Sequence, residues 1–458
     1  MTQFVFLMQQ LRTTFDSGVT RNIEWRQRQL KQLAALLKDH ENELLEALQL
    51  DLGKSHAEGW LTELSVVNKE IQHTLNHLPQ WMKAKRVRQP FLAMPGKSYL
   101  HPEPLGIVLI IGAWNYPIQL MLSPLIAALA AGNCVILKPS ELAPRTAELL
   151  ANTIPQYLAH DAINVVNGGA DIVTDLLQNR FDHILYTGSE RVGKIVMRAA
   201  AEYLTPVTLE LGGKSPAVIL ADANIKTTAR RLAWGKWINA GQTCIAPDYV
   251  LVDESIQNEL VAALKEASQT MFGVTPQSAE DYGRIVNDAH FNRLISYLNN
   301  GKVAFGGDFN ASERYLAPTV LTHVNIDSPI MRDEIFGPIL PIIPISSLAE
   351  AIDFIQQREK PLALYGFSNS NKKLRQLTEA TSAGNQCNND TLMFMLNPEL
   401  PFGGVGRSGM GRYHGHFGFE TFSHVKAVMY RSTRPDPSFR YPPYTKFKRR
   451  IMRWLSSQ

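Results

Sequence analysis

Cysteine is scarce in this chain, and its scarcity argues against two classes of protein. Only Cys134, Cys244 and Cys387 occur among 458 residues, an odd number without the dense spacing of a disulfide-stabilised secreted fold. No CxxC or HxxxH pair lies beside any of them, so the sequence predicts no metal site. We therefore expect reduced thiols and a cytoplasmic protein, and the role of each cysteine has to be decided from its context.

Long apolar runs and a large excess of charge are also missing. The opening MTQFVFLMQQLR contains an apolar patch too short for an export signal, with no basic residue before it. No uninterrupted apolar run reaches the roughly 20 residues that span a bilayer. The formal net charge is only +4, and five basic residues lie within KFKRRIMR near the C-terminus. The sequence therefore predicts neither a membrane-spanning helix nor bulk binding of nucleic acid.

What the chain does contain is the alternation typical of an α/β protein. Leucines at 30, 33, 37 and 44 recur at helical spacing and predict one or two long helices. The basic segment KAKRVRQPFLAMPGKSYLHPEP after them is interpreted as an extended excursion or linker. From Gly106 onwards, short apolar runs such as GIVLIIGAW, CVILKPSE, DHILYTGS and PAVILAD alternate with helical segments. This alternation predicts a parallel sheet covered on both faces, and its repetition in YVLVDE and PILPIIPI predicts a second α/β domain.

The residues that follow the predicted strands are candidates for chemistry. Ligands of parallel sheets bind outside the carboxyl ends of the strands. The residues at those ends are Asn115, Lys138, Gly188 and Ser189. We therefore expect these four side chains or backbone amides to surround a ligand.

Two glycine motifs have to be separated from nucleotide-binding fingerprints. GSERVGK fits the beginning of a phosphate loop, but Ile195 stands where a Ser or Thr would ligate magnesium. The motif still follows a strand and opens a helix, so its amides are suited to a pyrophosphate. GVGRSG, at 404–409, matches GxGxxG but follows PELPF instead of a strand, and we interpret it as a glycine-rich loop without a dinucleotide role.

Seven short motifs occur in an order that resembles one known family. They are WNYP (114–117), KPSE (138–141), TGSERVGK (187–194), LELGGKSP (209–216), GQTC (241–244), EIFGP (334–338) and PFGGVGRSGMG (401–411). This order is similar to that of the NAD(P)-dependent aldehyde dehydrogenases, and the similarity extends from the first helices to about Val428. The chain most resembles the class 3 branch, which includes fatty and aromatic aldehyde dehydrogenases.

The resemblance implies an aldehyde dehydrogenase-like fold with three parts and a tail. We expect a Rossmann-like NAD(P)-binding domain over residues 1–82 and 101–210, and a second, catalytic α/β domain over 211–418. Small β oligomerisation elements are expected at 83–100 and 419–433, followed by a basic tail at 434–458. The short sequence before the first helix implies a homodimer.

The resemblance also assigns the catalytic residues. It implies that Cys244 is the nucleophile that attacks an aldehyde, that Asn115 and the backbone amide of Cys244 stabilise the oxyanion, and that Glu210 is the general base for hydrolysis of the thioester. A cysteine is otherwise most often a small buried hydrophobe, which is our interpretation of Cys134, and Cys387 has no matching role. Relatives that transfer the acyl group to coenzyme A or reduce acyl phosphates usually lack the glutamate. Glu210 therefore favours a carboxylic acid product over these alternatives, and the intact set argues against a non-enzymatic protein.

The same resemblance implies cofactor contacts at Trp114, Lys138, Glu141, Gly188, Ser189, Gly193, Leu211, Glu334 and Phe336. Lys138 and Glu141 match the residues that bind the adenosine ribose, and a carboxylate there repels a 2′-phosphate. Gly188 and Ser189 match the pyrophosphate contacts, and Glu334 the residue that binds the nicotinamide ribose. We expect NAD as the cofactor, with NADP also accepted.

The substrate is predicted only from indirect signals. GNQCNNDT, at 384–391, departs from the smaller residues usual in this branch, in a region that lies near the substrate funnel of relatives. In the tail, Phe447, Ile451, Trp454 and Leu455 fall on one apolar face of a helix whose opposite face is basic. Such a helix binds a membrane surface or docks on a protein subunit, and the pattern alone favours neither. The similarity to fatty aldehyde dehydrogenases makes long apolar aldehydes the expected substrates.

Overall fold

The chain begins with a layer of helices followed by two short strands. This computed structural model describes residues 4–90 and 93–456. The helices are α1 (Val5–Asp16), α2 (Ile23–Asp39), α3 (Glu41–Leu52), α4 (His56–Gly59) and α5 (Ser65–Trp81), and the strands are β1 (Lys85–Val87) and β2 (Gly96–Pro104). The predicted long helical region is thus two helices that meet at His40, and its leucines at 30, 33, 37 and 44 are all fully buried.

The first large sheet contains the strands predicted from the apolar runs. Its strands are β3 (Ile107–Ile111), β4 (Cys134–Lys138), β5 (Ile163–Val165), β6 (His183–Thr187) and β7 (Val207–Glu210), joined by β17 (Gly409–Met410). The connecting helices are α6 (Gln119–Ala131), α7 (Pro144–Tyr157), α8 (Ala170–Leu177) and α9 (Glu190–Ala201). The spatial order is β17-β7-β6-β3-β4-β5, and all neighbours are parallel except β17 with β7. The chain reverses its direction of winding between β3 and β6, the point where such sheets bind ligands.

A second large sheet follows in the chain. Its strands are β8 (Pro216–Ile219), β9 (Tyr249–Asp253), β10 (Lys302–Phe305), β13 (Thr319–Thr322), β14 (Ile339–Ile345), β15 (Ala363–Phe367) and β16 (Asn385–Asn388). Their spatial order is β10-β13-β14-β9-β8-β15-β16. Only the pairing of β10 with β13 is antiparallel. The helices are α10 (Ile225–Trp237), α11 (Gln257–Phe272), α12 (Asp288–Tyr297), α13 (Pro329–Arg332), α14 (Leu348–Gln356) and α15 (Asn371–Ala380), and β11 (Phe309–Asn310) pairs with β12 (Tyr315–Leu316). The second α/β unit predicted from the sequence is therefore present.

The remaining elements form a small antiparallel sheet and a C-terminal helix. After α16 (Gly415–Thr421), β18 (Ser423–Arg431) pairs along its whole length with β2, which also pairs with β1. In KAKRVRQPFLAMPGKSYLHPEP, interpreted as an extended excursion or linker, residues 85–87 form β1 and residues 96–104 form β2. These strands and β18 overlap the segments 83–100 and 419–433, in which the resemblance implied small β elements. The last helix is α17 (Lys446–Ser456). Within the described parts of the chain, none of the helices has the length and apolar character needed to cross a bilayer.

Candidate active site

A cavity of about 670 Å³ opens beside the carboxyl ends of the first sheet and reaches residues of the second unit. Every site residue predicted from the sequence lines it except Gly193: Trp114, Asn115, Lys138, Glu141, Gly188, Ser189, Glu210, Leu211, Cys244, Glu334 and Phe336. Four of these follow directly from the strand-end argument. The other positions come from loops that the two large sheets bring to the same place.

Cys244 is presented by a backbone segment that few residues adopt without strain. Asn239, Ala240 and Gly241 have φ values of 53°, 50° and 76°, so three consecutive residues are left-handed, at a cost of about 1–3 kcal/mol for each of the two non-glycine residues. At Gly241, a Cβ atom would collide with the carbonyl oxygen of Gly337. The segment 238–244, called here the Cys244 segment, leaves the thiol partly exposed.

The side chain of Gln242 holds the Cys244 segment in this conformation. Its Nε2 donates to the carbonyl oxygens of Asn239 (3.0 Å) and Arg284 (2.9 Å), and its Oε1 accepts from the amide of Val286 (3.0 Å). The amide of Asn239 donates to Glu58 at 2.9 Å. Such hydrogen bonds offset the strain of the left-handed backbone and fix the position of the thiol.

Asn115 is fixed by a buried network that the sequence analysis missed. Its carbonyl oxygen accepts from Lys54 Nζ and from Asn239 Nδ2, both at 2.8 Å. Lys54 also forms a fully buried ion pair with Glu63 at 2.6 Å, and Glu63 accepts from the amide of Ile118 at 2.8 Å, ahead of α6. Lys54 lies in the short loop between α3 and α4, and Glu63 lies in the helical turn after α4. Charged side chains are mostly exposed, so no sequence signal marked these two as buried.

The side-chain amide of Asn115 lies beside the Cys244 segment. Its Nδ2 donates to the carbonyl oxygen of Gln242 at 3.1 Å, which uses one of its two hydrogens. The phenol of Tyr116 lies 2.7 Å from the hydroxyl of Thr243, and Lys54 Nζ lies 3.9 Å from the centre of the Tyr116 ring. Residues 115 and 116 are thus locked to residues 242 and 243, immediately before the thiol.

Glu210 ends β7 and is 2 % exposed. Neither carboxylate oxygen has a hydrogen-bond partner among the described residues, and burial raises the pKa of Glu210 well above its usual range. Burial is also the main cause that raises the pKa of the Cys244 thiol, and the nearby Glu334 and Glu210 add to it. Burial therefore favours the protonated form of both groups.

The cofactor side of the cavity is built around the N-terminus of α9. Gly188 and Ser189 precede this helix, and the Ser189 hydroxyl accepts from the amide of Val192 at 3.5 Å. Gly193 lies one turn further on, where an added Cβ would come 2.9 Å from Leu211 Cδ2. Its lack of a side chain lets α9 pack closely on Leu211, although Gly193 does not line the cavity.

Lys138 and Glu141 occupy the same cavity but pair with each other, at 2.7 Å. Lys138 is buried, whereas the Glu141 side chain is 49 % exposed. The ion pair lowers the pKa of Glu141 against the opposing effect of burial, so its carboxylate is charged at neutral pH. The charge expected to repel a 2′-phosphate is therefore present but partly neutralised by Lys138.

At the opposite end, Glu334 and Phe336 come from the loop before β14. Glu334 Oε1 is buried without a partner among the described residues, and burial followed by the charge of Asp248 raises its pKa to about 8. A Cβ at Gly212 would collide with the Glu334 carboxylate. The Phe336 ring meets that of Trp114 edge-on, with centroids 5.2 Å apart. A carboxylate oxygen without a partner among the described residues, a helix N-terminus and close backbone approaches fit a dinucleotide with a sugar hydroxyl and a pyrophosphate.

Other predicted segments take positions outside the site or beside it. GVGRSG forms a short 3₁₀ turn and β17, which pairs with Glu210 and Leu209, so it has no strand–loop–helix geometry. Cys134 is fully buried in β4, as interpreted from the sequence. Cys387 lies half-buried in β16, and the GNQCNNDT segment contributes no residue to the cavity lining.

His290 and Arg293 of α12 do line the cavity, and the sequence analysis did not identify them.

Comparisons with known proteins show the family to which the chain belongs. The model of the aldehyde dehydrogenase family matches residues 8–428. The chain is 49 % identical over 444 residues to aldehyde dehydrogenase family 3 member A2 of Pongo abelii, covering 96 % of this chain and 91 % of that one. It is 48 % identical over 434 residues to a dimeric NADP-preferring aldehyde dehydrogenase of Rattus norvegicus, covering 94 % and 96 %. The substrate-bound structure of AldH from Staphylococcus aureus superposes with a TM-score of 0.97 at 45 % identity, covering 99 % of this chain and all of that one. The chain therefore belongs to the aldehyde dehydrogenase family.

Proposed function

We propose that this aldehyde dehydrogenase oxidises an apolar aldehyde to the carboxylic acid through a covalent intermediate on Cys244, with NAD or NADP bound in the cavity. The observation that carries the proposal is the convergence of Cys244, Asn115, Glu210 and Glu334 on one cavity. A nucleophile, an amide donor and a buried carboxyl group are the parts that acyl chemistry on a thiol requires.

The first step is addition of the Cys244 sulfur to the aldehyde carbonyl. The thiol must first lose its proton to solvent, because the thiolate is the nucleophile, and burial makes this loss unfavourable. The new alkoxide accepts hydrogen bonds from Asn115 Nδ2 and from the backbone amide of Cys244. Because Lys54 and Asn239 fix Asn115, the donor does not have to reorganise during the reaction.

The alkoxide becomes a thioester on Cys244 by losing a hydride, which the nicotinamide, when bound, would accept as the two electrons of the oxidation. The next step is hydrolysis of this thioester. Glu210, once ionised, takes a proton from water, which then attacks the thioester carbonyl and releases the acid and the thiol. A carboxylate without hydrogen-bond partners is a stronger base than a solvated one, which supports this role for Glu210.

We assign the cofactor contacts to the residues around α9 and at the two ends of the cavity: Trp114, Lys138, Glu141, Gly188, Ser189, Gly193, Leu211, Glu334 and Phe336. The charged carboxylate of Glu141 favours NAD over NADP. Lys138, paired with it, reduces this discrimination and offers a cation to a 2′-phosphate. We therefore infer that NAD is preferred and NADP accepted, and the relative from Rattus norvegicus is itself named NADP-preferring.

The small antiparallel sheet is the proposed site of dimerisation. β18 forms one edge of the order β1-β2-β18, and most of its nine residues are exposed. A long exposed edge strand pairs readily with a second chain. One close relative is named dimeric, which supports a homodimer here.

The tail helix supports apolar substrates and contact with a membrane surface. In α17, Phe447 is 73 % and Trp454 is 62 % exposed, whereas Leu455 is buried. Lys448 donates to the carbonyl oxygen of Tyr441 at 3.0 Å, so the helix is tethered to the residues before it. Phe447 and Trp454 are thus more exposed than Leu455 on the same apolar face, and the basic residues of α17 favour an anionic bilayer surface. We propose a cytoplasmic enzyme that contacts membranes peripherally and takes long-chain aldehydes.

A panel of aldehydes tests the proposal. We expect NADH formation that increases with apolar chain length, vanishes in Cys244→Ala, and yields a free acid without coenzyme A or phosphate. The double variant Phe447→Ser/Trp454→Ser should keep turnover of short soluble aldehydes but lose sedimentation with anionic vesicles. A requirement for coenzyme A would overturn the assignment of Glu210, and vesicle binding unchanged by the tail substitutions would overturn the role of α17.

A further inference from the structure

His73, His77 and Glu399 form a cluster outside the cavity lining. His73 and His77 are four residues apart on α5, which places both imidazoles on one face of the helix. Glu399 comes from the loop after the turn Met393–Leu396. One ring nitrogen from each histidine and one oxygen of Glu399 all lie within 4.8 Å of one another. The pair is an HxxxH motif within HTLNH, and it was overlooked when the sequence analysis predicted no metal site.

Hydrogen bonding fixes one histidine of this cluster. His77 Nδ1 lies 2.8 Å from the carbonyl oxygen of His73, so Nδ1 carries the proton and Nε2 carries the free lone pair. The His77 ring is stacked on Trp81, with centroids 5.9 Å apart and planes inclined by 17°. A histidine that donates its other nitrogen to a carbonyl oxygen is the usual arrangement of a metal-binding imidazole.

The third group is placed to complete a ligand set. Glu399 Oε1 lies 3.5 Å from His73 Nε2, and the Glu399 side chain is 71 % exposed. An exposed carboxylate in a loop can adjust by the small distance that coordination requires. Two imidazoles and one carboxylate with an open position for water is a common donor set for Zn²⁺.

From this geometry we propose that His73, His77 and Glu399 bind a divalent transition metal, with Zn²⁺ as the best match to the donors. The site is structural: it joins α5 to the loop that leads to Phe402, three residues after Glu399. Phe402 lines the cavity, and its ring stacks with those of Phe394 and His414 at centroid distances of 6.3 and 5.4 Å. The metal would therefore stiffen one wall of the active site without contacting the reacting atoms.

Zinc titration of the full-length protein tests the proposal. Calorimetry with zinc chloride is carried out on the native protein and on Cys244→Ala, in which the accessible active-site thiol cannot compete. We expect one zinc ion per chain in both, with an increase in melting temperature on binding. His73→Ala and His77→Ala should lose at least about tenfold in affinity, and Glu399→Gln about tenfold, as expected for losing a ligand or its support.

His416 provides the matched control. Its ring packs on the same Trp81, at 5.5 Å, and it lies 3.7 Å from Glu420, but it does not belong to the cluster. His416→Ala should bind zinc as the native chain does. If Cys244→Ala binds no zinc, or if His77→Ala binds it as tightly as the native chain, the cluster is only a surface histidine–glutamate pair and the proposal fails.

Discussion

The Cys244 segment and the N-terminus of α9 both contribute to the cavity, but different interactions hold them in place. The part of the cavity around the N-terminus of α9, called here the α9 side, consists of Gly188, Ser189 and a regular helix directly after β6. Its backbone conformation therefore follows mainly from neighbouring residues in the sequence. The Cys244 segment has left-handed backbone and depends on Lys54, Glu58 and Arg284, which are distant in sequence. The reactive side is thus the part whose geometry relies most on tertiary contacts. This difference can be tested by substitutions on each side.

The largest effect is expected from Glu210→Gln, which keeps the shape of the side chain but removes the base. Steady-state turnover should fall by about 10²- to 10⁴-fold. Rapid mixing should still show up to one equivalent of NADH per site, because the chemistry of Cys244 precedes hydrolysis. An equally large loss of that first turnover would mean that Glu210 also deprotonates the thiol.

Lys54→Met should strongly destabilise the protein by leaving Glu63 buried without its cation. Breaking a buried ion pair typically costs about 3–5 kcal/mol of unfolding free energy, measurable by urea denaturation. The matched pair on the α9 side is Lys194 with Glu190, at 2.6 Å but with Lys194 60 % exposed. Lys194→Met should lower the free energy of unfolding by less than about 1 kcal/mol. Similar losses in Lys54→Met and Lys194→Met would show that the two sides of the cavity do not differ in their dependence on buried charge.

The glycines of the two sides should respond differently to a methyl group. Gly241→Ala forces a side chain onto left-handed backbone and into the Gly337 carbonyl, so we expect a loss of about 2–3 kcal/mol in stability and reduced turnover. Gly193→Ala meets only the tip of Leu211 at 2.9 Å, and a flexible side chain can move. Gly193→Ala should therefore lower the stability by about 1 kcal/mol and change the KM for NAD, with little change in kcat.

Glu141→Gln probes discrimination between cofactors on the α9 side. Removing the carboxylate removes its repulsion of a 2′-phosphate and frees Lys138, so kcat/KM for NADP relative to NAD should rise about tenfold. Glu148→Gln, on α7 shortly after Glu141 but exposed and outside the cavity lining, is the control. An unchanged cofactor ratio in Glu141→Gln would place the ribose elsewhere.

A pH-dependent effect on stability is expected from Glu58, which accepts from the amide of Asn239. Burial raises its pKa from 4.5 to about 7, against the opposing charge of Lys54. Between about pH 4.5 and 7 the unfolded chain loses this proton while the native chain keeps it. Stability from this group is therefore full below pH 4.5 and decreases by up to about 1.4 kcal/mol per pH unit as pH rises to 7. Glu58→Gln should lack this slope in unfolding experiments; an unchanged slope would assign it to other groups.

Much of the fold could be predicted from local patterns. Runs such as CVILK and HILYT become fully buried strands because helices cover both faces of the sheet, and buried parallel strands are continuously apolar. The resemblance implied β elements at 83–100 and 419–433, whereas the composition of the first segment did not indicate them. Its prolines and charges conceal an exposed antiparallel pair whose partner, β18, lies more than 300 residues later.

The candidate site shows the same division. The order of the family motifs predicted Cys244, Glu210 and Glu334 as site residues. Their positions at the carboxyl ends of predicted strands indicated Asn115 and Lys138. Nothing in the sequence marked Lys54 and Glu63 as a buried pair, or linked Glu399 to His73 and His77. Their meaning depends on burial and on partners that no local pattern encodes.

The sequence by itself determined the helices, most strands, the family and the identity of the reactive side chains, because periodicity and short motifs act over a few residues. Only the tertiary structure decided how the thiol is held, since Asn239 meets Asn115 across 124 positions of the chain. It also decided which charges are buried, because desolvation depends on everything packed around a group. Short motifs therefore identify the reactive groups of this enzyme, and long-range packing determines their geometry and pKa values.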